Sequence, residues 1–191
     1  MMRIYKHLPG IILLILGAVI WAAAQEVPAE SREPDVPYVP TRQSVVDAML
    51  KLAKVSEKDI VYDLGCGDGR IVITAAKQYG ARGTGIDIDP ERIKEANQNA
   101  KLMRVSDKVK FVEADLFKTN FSEATVVMLY LLPSINLKLR PILLEQLKPG
   151  TRIVSHAFDM GDWTPEQTLT VDGSTIYFWT VPEKKKAAAG K

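Results

Sequence analysis

The chain of 191 residues contains one cysteine, Cys66, so no internal disulfide can form and cysteine usage says nothing about its compartment. It also lacks a surplus of positive charge. Residues 25–182 hold 19 Lys and Arg against 22 Asp and Glu, a formal net charge of −3, where a nucleic-acid binder presents a basic face. No nucleic-acid partner is expected. The lysines of the tail 183–191 read as a solvated end. The uninterrupted apolar run Ile11–Ala24 has 14 residues, short of the roughly 20 that a helix needs to cross a bilayer. No internal repeat is visible. A hydrophobic content of 47% with 25% charged residues excludes a fibrous, collagen-like or wholly disordered chain, and the length suits one well-buried domain.

What the N-terminus does have is a targeting pattern. Arg3 and Lys6 precede the apolar stretch Ile11–Ile20, and Ala22-Ala23-Ala24 supplies an A-x-A cleavage signal before Gln25. A signal peptide over 1–24, cleaved after Ala24, is expected, giving an exported or membrane-associated protein. An uncleaved signal anchor holding a cytoplasm-facing domain is the alternative. Residues 25–40, with Pro28, Pro34, Pro37 and Pro40, read as a Pro/Glu-rich linker, 41–182 as the folded domain and 183–191 as a basic disordered tail.

Within the domain, Ser44 and Asp47 form a capping box ahead of Val45, Val46, Met49, Leu50 and Ala53 on one helical face. Strands are predicted at 60–64, 83–88, 109–113, 125–129 and 151–157, with helices over 70–79, 90–103 and 134–147. Gly80 should stop the first of these, Asp89-Pro90 should start the second, and Pro141 should break or restart the third. Residues 169–171 and 175–181, joined by Asp172-Gly173-Ser174, read as a hairpin. The pattern predicts an α/β fold: a Rossmann-like open twisted sheet, mostly parallel, with a C-terminal antiparallel hairpin and helices on both faces.

In such a sheet ligands bind beyond the carboxyl ends of the strands, where strand order reverses. The turn D-L-G-C-G-D-G-R, Asp63–Arg70, follows the first strand and belongs there. Gly65, Gly67 and Gly69 let the backbone turn sharply and approach a ligand. Asp63 and Asp68, however, would each repel a phosphate about 4 Å away by roughly 4 kcal/mol at an effective dielectric near 20, and the spacing is G-x-G-x-G instead of the dinucleotide G-x-G-x-x-G. A ligand carrying an ammonium and a sulfonium suits the acidic turn, and S-adenosylmethionine is that ligand. Asp87 falls where a carboxylate accepts both ribose hydroxyls, and Asp115 where one accepts from the adenine amino group, with Ile88 and Leu116 flanking the ring. Asp89 and Asp107 read as helix caps and turn formers, and Cys66 as a small loop filler within the turn.

The motifs D-L-G-C-G-D-G-R, G-I-D-I-D-P and E-A-D-L resemble the successive cofactor motifs of class I S-adenosylmethionine-dependent methyltransferases over about Tyr38–Pro182. More narrowly, V-P-Y-V-P-T at 36–41, D-L-G-C-G-D-G-R-I-V and W-T-P at 163–165 resemble the small protein-lysine methyltransferases that act on mitochondrial membrane carriers and the ATP synthase c-subunit. The resemblance implies the class I methyltransferase fold, methyl transfer, and a protein substrate with an accessible lysine.

The acceptor should approach over Tyr130-Leu131-Leu132-Pro133-Ser134. The stretch lacks the Asn or Asp followed by Pro-Pro and an aromatic that methylases of adenine or amide nitrogen usually show there, and no cluster of acids and histidine suggests metal-assisted catechol chemistry. A lysine needs only to lose its proton in a desolvated slot, and Tyr130, Tyr38 and Thr41 are the candidate catalytic rim, with Trp163 and Asp162 as further candidates to close it from the loop after strand five; Tyr130 also reads as a strand-end packing residue and Trp163 as a core plug. His156 reads as a strand residue facing the sheet. A small or lipid-like acceptor at the Leu131-Leu132 lip is the second reading, and a non-catalytic S-adenosylmethionine-binding module the third. The charged turn disfavours an NAD-dependent oxidoreductase. No metal is expected, and the chain is expected to act as a monomer. Export conflicts with the cytosolic origin of the cofactor, and the sequence does not resolve that conflict.

Overall fold

A computed structural model of the chain describes residues 38–184. The signal-like segment 1–24, the linker up to residue 37 and the tail from 185 lie outside the described residues. Seven strands, β1 (Ile60–Leu64), β2 (Arg82–Asp87), β3 (Val109–Glu113), β4 (Val126–Leu129), β5 (Arg152–His156), β6 (Gln167–Val171) and β7 (Ser174–Thr180), form one sheet in the order β3-β2-β1-β4-β5-β7-β6. The first five run parallel, while β7 inserts antiparallel between β5 and β6. The helices are α1 (Gln43–Leu52), α2 (Arg70–Tyr79), α3 (Pro90–Leu102) and α4 (Pro133–Gln146).

Successive residues of the central strands feed opposite faces of the sheet, which is why these strands read as continuous apolar runs. Val61, Val126, Met128 and Val154 pack with α1, α2 and the Ala100 end of α3. Tyr62, Leu64, Val127, Leu129 and Ile153 pack with Ile135, Leu139 and Leu143 of α4. The expected open α/β sheet with helices on both faces is the fold that forms. Strand order reverses between β1 and β4, so the crevice above their carboxyl ends is where this topology leaves room for a ligand.

Two local expectations fail. Ser44 does not cap α1: the N-cap is Arg42, without a side-chain hydrogen bond, and the Ser44 hydroxyl donates instead to Asp172 across the hairpin turn. A tertiary partner wins over the local one. Pro141 does not break α4, which runs unbroken from Pro133 to Gln146. The carbonyl that proline deprives of its helical partner belongs to Leu137, whose side chain is exposed, so the lost bond falls on the solvent side of the helix.

Candidate active site

A cavity of about 680 Å³ opens above the ends of β1, β2 and β4. Its floor is the turn leading into α2. There the Gly65 and Cys66 N–H groups both donate to the Ile86 carbonyl at 2.8 and 2.9 Å, Gly67 N–H donates to Asp87 Oδ2 at 2.8 Å, and Gly69 N–H to the Cys66 carbonyl at 2.9 Å. Arg70 N–H donates to Asp68 Oδ1 at 3.2 Å. In a phosphate-binding turn these amides face the anion. Here they are already spent within the protein. Gly67 sits at φ +51°, and a Cβ added there would lie 2.3 Å from the Tyr38 ring, so only glycine lets Tyr38 lie on the turn.

The charge of the turn differs from what a count of its acids implies. Asp63 is buried, and burial first, then the charges of Asp87 and Asp68, raise its carboxyl well above the usual range. Asp68 is gripped by the Arg70 guanidinium at 2.6 Å. Partial burial opposes the Asp68 charge, but the hydrogen bonds and charge of Arg70 outweigh it and hold the carboxyl below its usual range. Repulsion from two free carboxylates is therefore not what excludes a diphosphate. The five amides named are bonded within the protein and are not offered to a diphosphate. Arg70 is a site residue that sequence reasoning misses, although its place two residues after Asp68 is an available signal.

Asp63, Gly65, Cys66, Gly67, Asp68, Asp87, Ile88, Asp115 and Leu116 all line the cavity, as the motif spacing indicates. Gly69 does not: it is the left-handed residue before α2, and a Cβ there would strike Phe111 and Ala96, so it serves helix packing. Asp87 accepts from Gly67 and, through Oδ1, from Asp89 N–H at 3.1 Å, leaving a second lone pair on each oxygen. Asp115 combines two roles, accepting from Phe117 N–H at 2.9 Å at the head of a single 3-10 turn (Leu116–Lys118) while bordering the cavity. Asp89 caps α3, as expected. Cys66 is buried and its thiol is pushed well up, chiefly by burial, which fits a filler and not a nucleophile.

The opposite wall is built from distant segments. Tyr38 and Thr41 precede α1, Tyr130 follows β4, and Phe158 follows β5; all four line the cavity. Arg70 Nη1 donates to the Thr41 carbonyl at 2.7 Å, and Arg92 lies 4.7 Å above the Tyr38 ring, so the segment before α1 is fastened to the glycine turn. Phe158, which no sequence motif marks, is turned inward by a three-residue turn in which its N–H donates to the His156 carbonyl at 2.9 Å and Ala157 takes φ +67°. That is the strained, rare form of the γ-turn. Buried Asn136 holds it by donating to the Phe158 and Asp159 carbonyls at 3.3 and 3.2 Å. Phe158 then stacks on Tyr130 with centroids 6.4 Å apart. Trp163 and Asp162 do not close this wall. The Trp163 carbonyl accepts from Trp179 Nε1 on the α4 face, and Asp162 is exposed and paired with Arg140.

The sequence profile of the ANTKMT methyltransferase domain family matches residues 63–167. The chain belongs to this family. The ANTKMT methyltransferase domain thus covers the glycine turn, Asp87, Asp115, Tyr130 and Phe158, whereas Tyr38 and Thr41 come before it. A protein-lysine N-methyltransferase of Saccharolobus islandicus (strain REY15A) is 48% identical over 157 residues, 80% of this chain and 98% of that protein. The lysine N-methyltransferase of Homo sapiens named for the ATP synthase c-subunit is 30% identical over 170 residues, 89% of this chain and 72% of that protein. Among solved structures, an RNA methyltransferase from Salinibacter ruber in complex with S-adenosyl-L-homocysteine is 58% identical, with a TM-score of 0.76, covering 80% of this chain and all of that one.

Proposed function

We propose that this member of the ANTKMT family is an S-adenosylmethionine-dependent methyltransferase whose acceptor is the ε-amine of a lysine on a protein. The observation that carries the reading is the make-up of the cavity. Among the described residues, its wall offers hydroxyls and aromatic rings, no Asn or Gln lines it, and its two cations, Arg70 and Arg92, are both engaged with acids, Asp68 at 2.6 Å and Asp89 at 3.8 Å. A phosphate of RNA would find no uncommitted cation there, which is why the lysine acceptor named for two relatives is preferred to the RNA named for a third.

The cavity also fits the cofactor. Five amides of the turn are already bonded within the protein, while Asp87 keeps lone pairs for ribose hydroxyls and Asp115 lines the same cavity as the apolar Ile88 and Leu116, which suit an adenine ring. When bound, S-adenosylmethionine supplies a methyl group on a sulfonium, an electrophile open to in-line displacement. The protein's own tasks are to exclude water and to orient the amine. Tyr130 and Phe158 provide an apolar slot in which an ammonium loses hydration and gives up its proton more readily, Thr41 a hydroxyl beside it, and Tyr38 the exposed rim.

The test is incubation of the full-length protein with labelled cofactor and a cell extract, followed by separation into protein, RNA and organic fractions. Label in protein, mapped to methyllysine by mass spectrometry, is expected; label confined to RNA or lipid would overturn the acceptor. We propose further that residues 1–24 associate the domain with a membrane. Sequencing of the mature N-terminus separates the two forms, since a start at Gln25 means cleavage.

A further inference from the structure

The mechanism leaves the buried imidazole of His156 without a use. His156 ends β5, is 6% exposed and does not line the cavity, yet its Nδ1 lies 3.2 Å from Oγ1 of Thr41, which does. Both partners are firmly held. The Thr41 carbonyl accepts from Arg70, its side chain is pinned by His156, and only 5% of the residue is exposed. The imidazole lies against Tyr130 with ring centroids 3.9 Å apart, its backbone carbonyl closes the γ-turn, and the next N–H, of Ala157, donates to the Thr175 carbonyl at 2.7 Å. Burial alone lowers the imidazole's pKa. A neutral imidazole has one donor and one acceptor nitrogen, so the direction of the Thr41 contact is set by its tautomer.

We propose that His156 Nδ1 accepts the hydrogen of the Thr41 hydroxyl, making His156 the positioning residue that turns the Thr41 oxygen lone pairs toward the methyl acceptor. A hydroxyl has a single hydrogen. Once it is given to His156, Thr41 can only accept from an incoming amine. It then holds an amine N–H and leaves the amine lone pair, on the far side of the nitrogen, for the methyl carbon. With the other tautomer the hydroxyl hydrogen would be free to bond that lone pair and compete with the transfer.

The chemical consequence rests on the lysine reading, whereas the direction of the hydrogen bond does not, and the test separates them. The chain has two histidines, His7 and His156, so their ring nitrogens can be assigned by heteronuclear NMR on the full-length protein. The expected result is an Nε2–H tautomer for His156 whose Nδ1 shift moves in Thr41→Val; an Nδ1–H tautomer overturns the proposal whichever acceptor is found. In turnover, Thr41→Val and His156→Phe are each expected to lower kcat about tenfold, with KM for the cofactor unchanged and the double variant no worse than either single one. Thr41→Ser and His156→Asn, which keep the hydroxyl and an acceptor in place of Nδ1, are expected to restore most of the rate. Wild-type kcat in His156→Phe, or additive losses, would overturn the proposal. Label entering RNA in place of lysine would overturn only the acceptor, with the variants read on that substrate instead.

Discussion

The two walls of the cavity are made in different ways. The cofactor wall comes from consecutive strand ends and the turns that leave them, Asp63–Asp68, Asp87–Ile88 and Asp115–Leu116, and backbone bonds such as Gly65 to Ile86 and Gly67 to Asp87 lock it. The acceptor wall joins Thr41, Tyr130 and Phe158 from segments up to 117 residues apart, and side chains hold it together: Arg70 on Thr41, His156 on Thr41, Asn136 on the Phe158 carbonyl. One wall depends on local geometry, the other on long-range packing. A fold of this kind can keep the first while the second is altered through a few side chains.

The largest effect is expected where the comparison is sharpest. Asp87→Ala removes the proposed ribose acceptor and also strips Gly67 N–H of its partner, so the Kd for S-adenosylhomocysteine should rise about 100-fold, equivalent to about 2.7 kcal/mol, while circular dichroism stays native. Unchanged affinity in calorimetry would remove Asp87 from the cofactor wall. Next comes Phe158→Leu, which loses the stack on Tyr130 but keeps an apolar side chain. A fall in kcat of about tenfold with cofactor affinity intact is expected. Should that variant weaken cofactor binding as much as it slows turnover, the two walls are not separable.

The smallest effect concerns the acid shared by the floor of both walls. Burial, and then the charges of Asp87 and Asp68, raise the Asp63 carboxyl above its unfolded value. A group shifted in that direction contributes stability that is fully present below the unfolded pKa and is lost as pH rises through the folded one. Asp63→Asn does not titrate. It is therefore expected to melt above the parent at pH 8, by about 2–4 °C for a loss on the order of 1 kcal/mol, with the gap closing as pH falls. A difference that is the same at every pH would show that folding leaves the Asp63 pKa unshifted.

Much of this is legible in the chain. The bounds of β1, α2 and β3 follow from apolar runs ended by glycine or by a polar turn, and the cofactor-wall residues announce themselves because each lies at or just past the carboxyl end of its strand. The misreadings share a cause. Ser44 and Asp47 satisfy a local capping rule, yet Ser44 bonds Asp172, 128 residues away. Asp162 belongs near the site by the position of its loop, yet Arg140 draws it away, while Trp163 takes the core-plug role its sequence also allowed. Asp63 and Asp68 read as two charges because neither burial nor the bidentate hold of Arg70 is visible in a string of residues.

The sequence by itself determined the sheet, the turn and the acids that gather at one side of the crevice, since strand period, glycine spacing and the acid at or after each strand end are local properties of the chain. Only the tertiary structure decided the electrostatics of that turn and the addition of Phe158 beside Tyr130 and Thr41 in the cavity. Burial, ion pairing and the meeting of Thr41 with His156 arise when segments distant in sequence are brought to one place, and no local rule encodes the distance between them.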